Sequence, residues 1–374
     1  MTRAIAGGRV LLADGFADGV VVVTHNGLIT ELRDESDALP SGCDLINVDG
    51  RYIVPGFIDT QVNGGGGVLF NDTPTVEGLA AIASAHRAFG TTGMLPTLIS
   101  DDLAVVARAI NAVTEAIRCG VRGILGLHIE GPFLAESKRG IHDARFFRSL
   151  DDEAIALLGH ATGGRTLVTL APECATQAQI QQLVQRGVLV SLGHTNATAD
   201  EALAAFDAGA TGVTHLYNAM SQLQARAPGV VGASLLDPRP WCGLIVDSHH
   251  VDPLALRVAL AARPHTRFVL VTDAMQCVGS ALTSFSLLGR TITVADGVCR
   301  DETGTLAGSA VDMLTCVRTA AQTLSLPLAT VFRMASEYPA DFLGLSATHG
   351  RIAPGYRADL LAVAHTLDQI HVLS

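Results

Sequence analysis

Side chains that bind metals or move protons recur in this sequence where short apolar runs end. The runs 124–130, 188–194 and 212–215 close on Glu130, His194 and His215. A carboxylate and two imidazoles, with a position left for water, form the donor set of an open catalytic site for a divalent metal. A lone buried histidine is more often a hydrogen-bonded core residue, but three such groups at successive run ends favour the metal site. Asp273, which closes the last run, fits a general base acting on water.

Four neighbouring features allow more than one interpretation. His128 lies two residues before Glu130, so alternation along a strand places it on the same face, as a ligand or as a structural residue. Glu173 also closes a run but is predicted to be an ion-pair partner in a loop, outside the site. The pair His249-His250 could bind a metal or contact a substrate. The glycines 64–67 lack the Lys-Ser/Thr of a phosphate-binding P-loop.

The segments that carry these metal-binding and proton-transfer side chains are predicted to be strands alternating with helices. Helical patterns fill most of the gaps, and Thr198 to Glu201 is typical of a capped helix start. Eight strand-like runs over roughly 220 residues predict an α/β fold, a (β/α)8 TIM-type barrel, whose active site lies at the carboxyl ends of the strands. An open doubly wound sheet is the alternative, and it is weaker because no GxGxxG follows the first run. The eight predicted runs are 57–59, 93–97, 124–130, 167–173, 188–194, 212–215, 243–247 and 268–273.

The segments outside this alternation predict a small β element. Residues 1–54 read as short strands with a hairpin at Asn26-Gly27, and the tail around 358–363 reads as a strand that rejoins them. Between the last run and this tail, the pattern predicts a hairpin over 285–305 and two helices, over 310–324 and 329–343.

Composition excludes several classes of protein. The chain has 374 residues, 48% of them hydrophobic, and a net charge of −11 from 25 basic and 36 acidic residues. This balance argues against disorder, a basic nucleic-acid surface and a Lys/Arg-rich membrane helix. No apolar window is long enough to span a bilayer, and residues 1–18 lack a signal-peptide core. Seven scattered cysteines without CxxC argue against a disulfide framework, so we expect a soluble protein of the cytoplasm.

Several long motifs, in order, resemble those of the N-acetylglucosamine-6-phosphate deacetylases of the amidohydrolase superfamily. The resemblance runs from about residue 55 to 346 and weakens into both ends. It implies a small β-sandwich domain from residues 1–54 and 346–374 beside a barrel of residues 55–345. The motifs are His128-Ile-Glu-Gly-Pro-Phe133, Leu170-Ala-Pro-Glu173, Gly193-His-Thr-Asn-Ala197, Thr214-His-Leu-Tyr-Asn-Ala-Met220, Val271-Thr-Asp-Ala274 and Gly304-Thr-Leu-Ala-Gly-Ser309.

The resemblance also implies roles for individual residues. It makes Glu130, His194 and His215 the metal ligands, Asp273 the catalytic acid/base and His142 the contact to the acetyl carbonyl. The family hydrolyses the N-acetyl amide of an amino-sugar phosphate, and it forms dimers in which a partner can supply phosphate contacts from the positions of Arg226 or His250. The implied substrate-binding residues are Ile141, His142, Asn218, Ala219, Arg226, Asp247, His249, His250, Leu306, Ala307 and Gly308.

One departure from the superfamily pattern bears on the metal. Many members carry His-x-His after the first strand, whereas this chain has Gln61-Val62-Asn63, and amides replace imidazole poorly at a borderline ion. The only lysine, Lys138, lies in a loop after Glu130 rather than at a strand end, so it cannot bridge two metals as a carbamate. We therefore expect one divalent metal per chain, Zn2+ first, although Fe2+, Mn2+ or Co2+ would fit.

Two other functions compete with deacetylation of N-acetylglucosamine 6-phosphate. A related enzyme acting on N-acetylgalactosamine 6-phosphate would share the metal and phosphate motifs and differ only in the loops that contact the sugar hydroxyls. A catalytically inactive scaffold on the same fold ranks last, because all four expected chemical residues are present.

Overall fold

The computed structural model describes residues 1–160 and 162–373, beginning with seven strands. The first seven strands are β1 (Thr2–Ala6), β2 (Arg9–Leu12), β3 (Gly15–Ala17), β4 (Val20–His25), β5 (Leu28–Asp34), β6 (Asp44–Asn47) and β7 (Tyr52–Pro55), and the last two strands of the chain are β22 (Leu360–Val363) and β23 (Ile370–Val372). These nine strands form two sheets, ordered β5-β4-β1-β6 and β23-β22-β7-β2-β3.

These two sheets form a small sandwich with its own core. Ile5 and Val22 of one sheet and Val10, Ile53 and Leu360 of the other belong to one buried cluster. Strand β22 pairs antiparallel with β7. The predicted return of the tail to the N-terminal β element is confirmed.

Eight parallel strands form the central sheet, in the order β17-β16-β15-β14-β13-β12-β11-β8. A parallel bridge between Val62 and Ala274 joins the two ends of this order, so the sheet closes. The predicted (β/α)8 barrel is confirmed. Its strands are β8 (Phe57–Val62), β11 (Thr91–Ile99), β12 (Gly126–Glu130), β13 (Arg165–Leu170), β14 (Leu189–Leu192), β15 (Gly212–Val213), β16 (Trp241–Leu244) and β17 (Phe268–Leu270), with a two-residue pair β9 (Gly64–Gly65) and β10 (Val68–Leu69) after the first.

Helices follow the strands, and polar side chains cap them. Thr176 with Gln179 and Thr198 with Glu201 form capping boxes at two helix starts, the second as the sequence predicts. Among the described residues, no helix combines the length and apolar character that crossing a membrane requires. The helices are α1 (Val76–Arg87), α2 (Leu103–Arg118), α3 (Asp152–Leu158), α4 (Gln177–Gln185), α5 (Ala199–Asp207), α6 (Gly229–Leu236) and α7 (Pro253–Ala262), with 3-10 turns at Glu136–Lys138, Ala144–Phe146, Pro172–Cys174 and His265–Arg267.

After β17 the chain forms an antiparallel insertion and then three helices. The insertion has four strands, β18 (Ser284–Leu287), β19 (Arg290–Ala295), β20 (Val298–Arg300) and β21 (Leu306–Ser309), and the helices are α8 (Met313–Thr323), α9 (Leu328–Met334) and α10 (Glu337–Phe342). The single helix predicted over 329–343 is wrong, because the chain breaks at Ser336. The break leaves Pro339 in the first turn of α10, where its missing N–H interrupts no helical hydrogen bond.

Aromatic rings connect the sandwich to the barrel. The ring of Phe332 in α9 stacks on Phe57 of β8 at 6.3 Å between centroids, and it meets Phe16 and Tyr52 of the sandwich at 6.1 Å each. Phe57 is the first residue of β8, so its contact with Phe332 lies at the amino end of that strand. The sandwich therefore packs against the barrel at the end opposite to the carboxyl ends of the barrel strands.

Candidate metal and catalytic site

Glu130, His194 and His215 meet at the carboxyl ends of three barrel strands. Glu130 is the last residue of β12, and each histidine lies two residues beyond the end of its strand, β14 or β15. The Nε2 atoms of His194 and His215 lie 3.2 and 3.0 Å from Glu130 Oε1, and 3.2 Å from each other. All three ligand atoms lie within 4.8 Å of one another and all three side chains are buried.

The backbone turns sharply to aim these side chains inward. His194 and His215 have φ values of +47° and +33°, and Asp273 has +54°. This left-handed region is rare for residues with a side chain and costs of order 1–3 kcal/mol per residue, so such residues cluster at functional sites. Three of them, just beyond the ends of β14, β15 and β17, indicate that the functional site lies at this end of the barrel.

Hydrogen bonds fix which nitrogen of His194 faces the cluster. Its Nδ1 lies 2.9 Å from the carbonyl oxygen of Lys138, which can only accept, so Nδ1 carries the proton. In the neutral ring, Nε2 then presents its lone pair towards Glu130 and His215. Burial alone would raise the pKa of Glu130, but the two neighbouring imidazoles outweigh burial and hold this pKa well below its ordinary value. An ionised carboxylate and two converging imidazole nitrogens fit a divalent metal ion with three protein ligands.

Asp273 lies next to this cluster and is held by two amides. Asn63 Nδ2 donates to Asp273 Oδ1 at 2.6 Å, and Gln61 Nε2 lies 3.2 Å from the same oxygen and 3.1 Å from Glu130 Oε1. Burial, and then the neighbouring negative charge of Glu130, raise the pKa of Asp273 to about 6. The amides that replace His-x-His therefore act as hydrogen-bond donors to the two carboxylates.

Asp59 is the third residue of β8 rather than its last, as the predicted run 57–59 would have it, and it supports the loop that carries Asp273. Its carboxyl group accepts hydrogen bonds from Thr272 Oγ1 at 2.6 Å and from the backbone N–H of Gln61 at 3.1 Å. Burial raises its pKa to about 7 despite these bonds. Asp59 therefore connects β8 to the segment after β17, next to Asp273 in the chain.

The structure settles the surroundings of His128 and Glu173. The His128 ring lies between the hydroxyls of Thr97, at 3.2 Å, and Thr169, at 2.8 Å, and burial lowers its pKa to about 4. His128 is thus a neutral interior residue rather than a member of the metal cluster. Glu173 accepts hydrogen bonds from the Thr195 hydroxyl and from the backbone N–H of Asn196, and so holds the loop that follows His194.

His142 lies beside the cluster as a neutral hydrogen-bond donor. Its ring centroid is 4.4 Å from that of His194, and burial, followed by the nearby His194, lowers its pKa to about 3. The backbone N–H of Ser100 donates to His142 Nδ1 at 3.3 Å, so the proton of the neutral ring is on Nε2. Sequence reasoning missed Ser100 because it ended the second run at Thr97, whereas β11 extends to Ile99.

A cavity of about 360 Å³ opens above these groups. The insertion after β17 covers part of it, and Gly308 allows this close approach: a Cβ there would lie 2.8 Å from the Asp273 carbonyl oxygen, at a φ of +58°. The predicted site residues that line the cavity are Glu130, Ile141, His142, His194, His215, Asn218, Ala219, His250, Asp273, Leu306 and Gly308, and Asn63 and Lys138 line it as well.

The remaining four predicted substrate residues lie outside this cavity. Arg226 is exposed and lines an adjoining groove, and Ala307 is buried in the core of the insertion. His249 is exposed, whereas Asp247 is buried and accepts a hydrogen bond from His250 Nδ1 at 2.6 Å. Burial would raise the pKa of Asp247, but the hydrogen bond from His250 outweighs burial and lowers this pKa to about 2. Asp247 thus orients the His250 ring that does line the cavity.

Known proteins are similar to this chain in sequence and in fold. Residues 52–372 match the model of the amidohydrolase family, and the chain belongs to that family. It is 42% identical to an N-acetylgalactosamine-6-phosphate deacetylase of Shewanella sp. (strain ANA-3), over 94% of this chain and 90% of that protein. It is 35% identical to an N-acetylglucosamine-6-phosphate deacetylase of Haemophilus influenzae, over 93% and 91%. The crystal structure of N-acetylglucosamine-6-phosphate deacetylase from Pasteurella multocida superposes with a TM-score of 0.95 at 34% identity, covering 100% of this chain and 98% of that one.

Proposed function

We propose that this protein hydrolyses the N-acetyl amide of N-acetyl-D-glucosamine 6-phosphate to D-glucosamine 6-phosphate and acetate. The observation that carries the proposal is the convergence of Glu130, His194 and His215 beside Asp273 at the carboxyl end of the barrel. The near full-length similarity to deacetylases of amino-sugar 6-phosphates supports the substrate class.

The metal of the proposed site is held by Glu130, His194 and His215. A bound divalent ion lowers the pKa of water towards about 7 and polarises a carbonyl group. We favour Zn2+, since its usual ligands are imidazole and carboxylate; Fe2+, Mn2+ and Co2+ also accept this donor set. One ion per chain fits, because the amide nitrogens of Gln61 and Asn63 are directed at carboxylates.

Proton transfer is assigned to Asp273. Its ionised carboxylate takes a proton from the attacking water and then delivers that proton to the departing nitrogen, which is otherwise a poor leaving group. His142 donates its Nε2 proton in a hydrogen bond to the acetyl oxygen as negative charge develops there. One such donor contributes about 3 kcal/mol to transition-state stabilisation.

The sugar phosphate is assigned to the open side of the cavity. Asn218, Ala219 and His250 line the cavity, and Arg226 in the adjoining groove offers a planar fork for a phosphate. Because Arg226 lies outside the cavity of its own chain, we propose a homodimer in which the partner supplies a phosphate contact. A phosphorylated sugar is a metabolite of the cell interior, which supports a cytoplasmic location.

The galacto epimer is the second candidate substrate. It is favoured by the 42% identity to a deacetylase of N-acetylgalactosamine 6-phosphate. The metal and proton-transfer groups would be the same, and only the contacts to the sugar hydroxyls would differ.

Acetate release tests the function and separates the two epimers. Purified enzyme is incubated with N-acetylglucosamine 6-phosphate, with its galacto epimer and with unphosphorylated N-acetylglucosamine, and kcat/KM is measured for each. The proposal predicts the highest value for the phosphorylated gluco substrate. A clear preference for the galacto epimer would replace the substrate but keep the mechanism, and no acetate from either phosphorylated sugar would refute the proposed function.

A further inference from the structure

Two cysteines are in contact in the region that connects β17 to the insertion covering the cavity. Cys277 belongs to the segment that follows Asp273, and Cys299 is the middle residue of β20 in the insertion. Both are free thiols in one apolar cluster, and their Sγ atoms are 3.6 Å apart. Because the S–S bond of a disulfide is about 2.05 Å long, the two sulfurs need to approach by only about 1.5 Å to form one.

The two thiols differ in acidity and in access. The hydrogen bond from Cys299 lowers the pKa of Cys277, with help from backbone N–H groups and against burial. The same hydrogen bond, followed by burial, raises the pKa of Cys299. Cys277 also keeps 6% of its surface exposed, whereas Cys299 has none exposed. Because the thiolate is the form that attacks an oxidant, Cys277 is the nucleophile of the pair and Cys299 is the second thiol.

Backbone hydrogen bonds connect both cysteines to Asp273. Strand β20, which carries Cys299, pairs with β21, and Ser309 at the end of β21 donates its N–H to the Asp273 carbonyl oxygen at 2.8 Å. The N–H of Met275, two residues before Cys277, donates to the Ser309 carbonyl oxygen at 2.9 Å. A shift of β20 relative to Cys277 therefore acts on the backbone that carries the proposed base.

We propose that Cys277 and Cys299 form a redox-sensitive pair, which a hydroperoxide oxidises to a disulfide that reversibly lowers the activity of the site. The effect on activity rests on the proposed function, whereas the formation of the disulfide does not. A displacement of about 1 Å can lower the rate of an enzyme by about 100-fold, so the approach of the two sulfurs is large enough to matter at Asp273.

The oxidation balances with one molecule of hydrogen peroxide. The Cys277 thiolate attacks one peroxide oxygen and the O–O bond breaks, which leaves a sulfenic acid and a hydroxide ion. The hydroxide takes the proton of Cys299 and becomes water, and the Cys299 thiolate then attacks the Cys277 sulfur. The S–S bond forms as a second hydroxide leaves and is protonated by solvent. The two sulfurs give up two electrons to the peroxide, and a dithiol reductant returns them.

The first measurement detects the disulfide itself. Zinc-loaded enzyme is treated with hydrogen peroxide, the excess is destroyed with catalase, and the protein is alkylated, digested with trypsin and analysed by mass spectrometry. Trypsin places the two cysteines in the peptides 268–290 and 291–300, so only a disulfide keeps these peptides joined. We expect the joined peptides after peroxide and their separation by dithiothreitol. Absence of the joined peptides would overturn the proposal.

The second measurement links the disulfide to activity. We expect peroxide to lower kcat/KM for N-acetylglucosamine 6-phosphate by about 10-fold or more at constant zinc content, and dithiothreitol to restore it. Cys277→Ser and Cys299→Ser should keep their own untreated activity after peroxide. Cys119→Ser, which removes an exposed cysteine outside the pair, should respond like wild type.

Two results would overturn the proposed control of activity. One is joined peptides without a loss of activity, and the other is a loss in Cys277→Ser as large as that in wild type. If reduced wild type releases no acetate from either phosphorylated sugar, the proposed function fails, while the joined peptides still decide whether the pair forms a disulfide.

Discussion

Replacement of Asn63 by leucine should move the pH dependence of catalysis in a defined direction. Asn63 Nδ2 donates to Asp273 Oδ1 at 2.6 Å, in a site where both residues are buried or nearly so. Its Oδ1 has no hydrogen-bond partner among the described residues, so Asn63→Leu removes one hydrogen bond from Asp273 and leaves no other group newly unpaired. The change is therefore close to a deletion of a single donor.

The size of the effect follows from the charge on the acceptor. A hydrogen bond to a charged group contributes about 1.5–3 kcal/mol, and about 1.4 kcal/mol corresponds to one pKa unit. Gln61 Nε2 remains 3.2 Å from the same oxygen and compensates in part. We expect the pKa of Asp273 to rise by about one unit, from a value that burial and Glu130 already raise.

The sign is fixed by the role of the group. A donor stabilises the ionised carboxylate, so its loss favours the protonated form, and a general base must be ionised to work. The acid limb of the kcat/KM profile should therefore shift to higher pH by about one unit, measured as acetate release with metal content determined at each pH. An acid limb that stays in place or moves to lower pH, at constant metal content, would refute the assignment of Asp273 as the base.

Three further substitutions test the catalytic base, the core and the loop that holds a metal ligand. Asp273→Asn should lower kcat by about 10²- to 10⁴-fold while the metal content stays near that of wild type. Full activity in this variant would refute the role of Asp273 in proton transfer. Phe332→Ala removes a buried ring shared by the barrel and the sandwich, so urea titration should show a loss of about 3–5 kcal/mol in the free energy of unfolding. A loss below about 1 kcal/mol would mean that the ring is not well packed. Glu173→Gln weakens the hydrogen bonds that hold the loop after His194, so competition with a chelator should show metal affinity about 10-fold lower. Unchanged affinity would contradict that positioning role.

The residues at the strand ends could be predicted from the sequence, because the barrel topology requires apolar runs and the chemistry requires a polar residue where each run ends. Apolar runs that close on a carboxylate or imidazole are enough to group Glu130, His194, His215 and Asp273, since parallel strands bring their carboxyl ends to one side of a barrel. The capped start of α5 is predictable for a similar reason, because Thr198 and Glu201 act locally.

The features that the sequence does not reveal depend on contacts between distant segments. Lys138 looks like an ordinary loop residue, since only the hydrogen bonds between its loop and His194 bring it to the cavity. The position of Arg226 in a groove beside the cavity is likewise set by tertiary packing that no local pattern encodes. The helix expected over 329–343 divides at Ser336, although Pro339 gives a local signal for that break.

The most direct test of the central claim is a metal titration of the stripped enzyme. The metal is removed with a chelator, Zn2+ is added back in small steps, and acetate release from N-acetylglucosamine 6-phosphate is followed together with bound metal. The account predicts no activity without metal and a linear rise that levels off at about one ion per chain, the number that three protein ligands can hold. Activity that survives complete metal removal, or that needs a second equivalent, would contradict it.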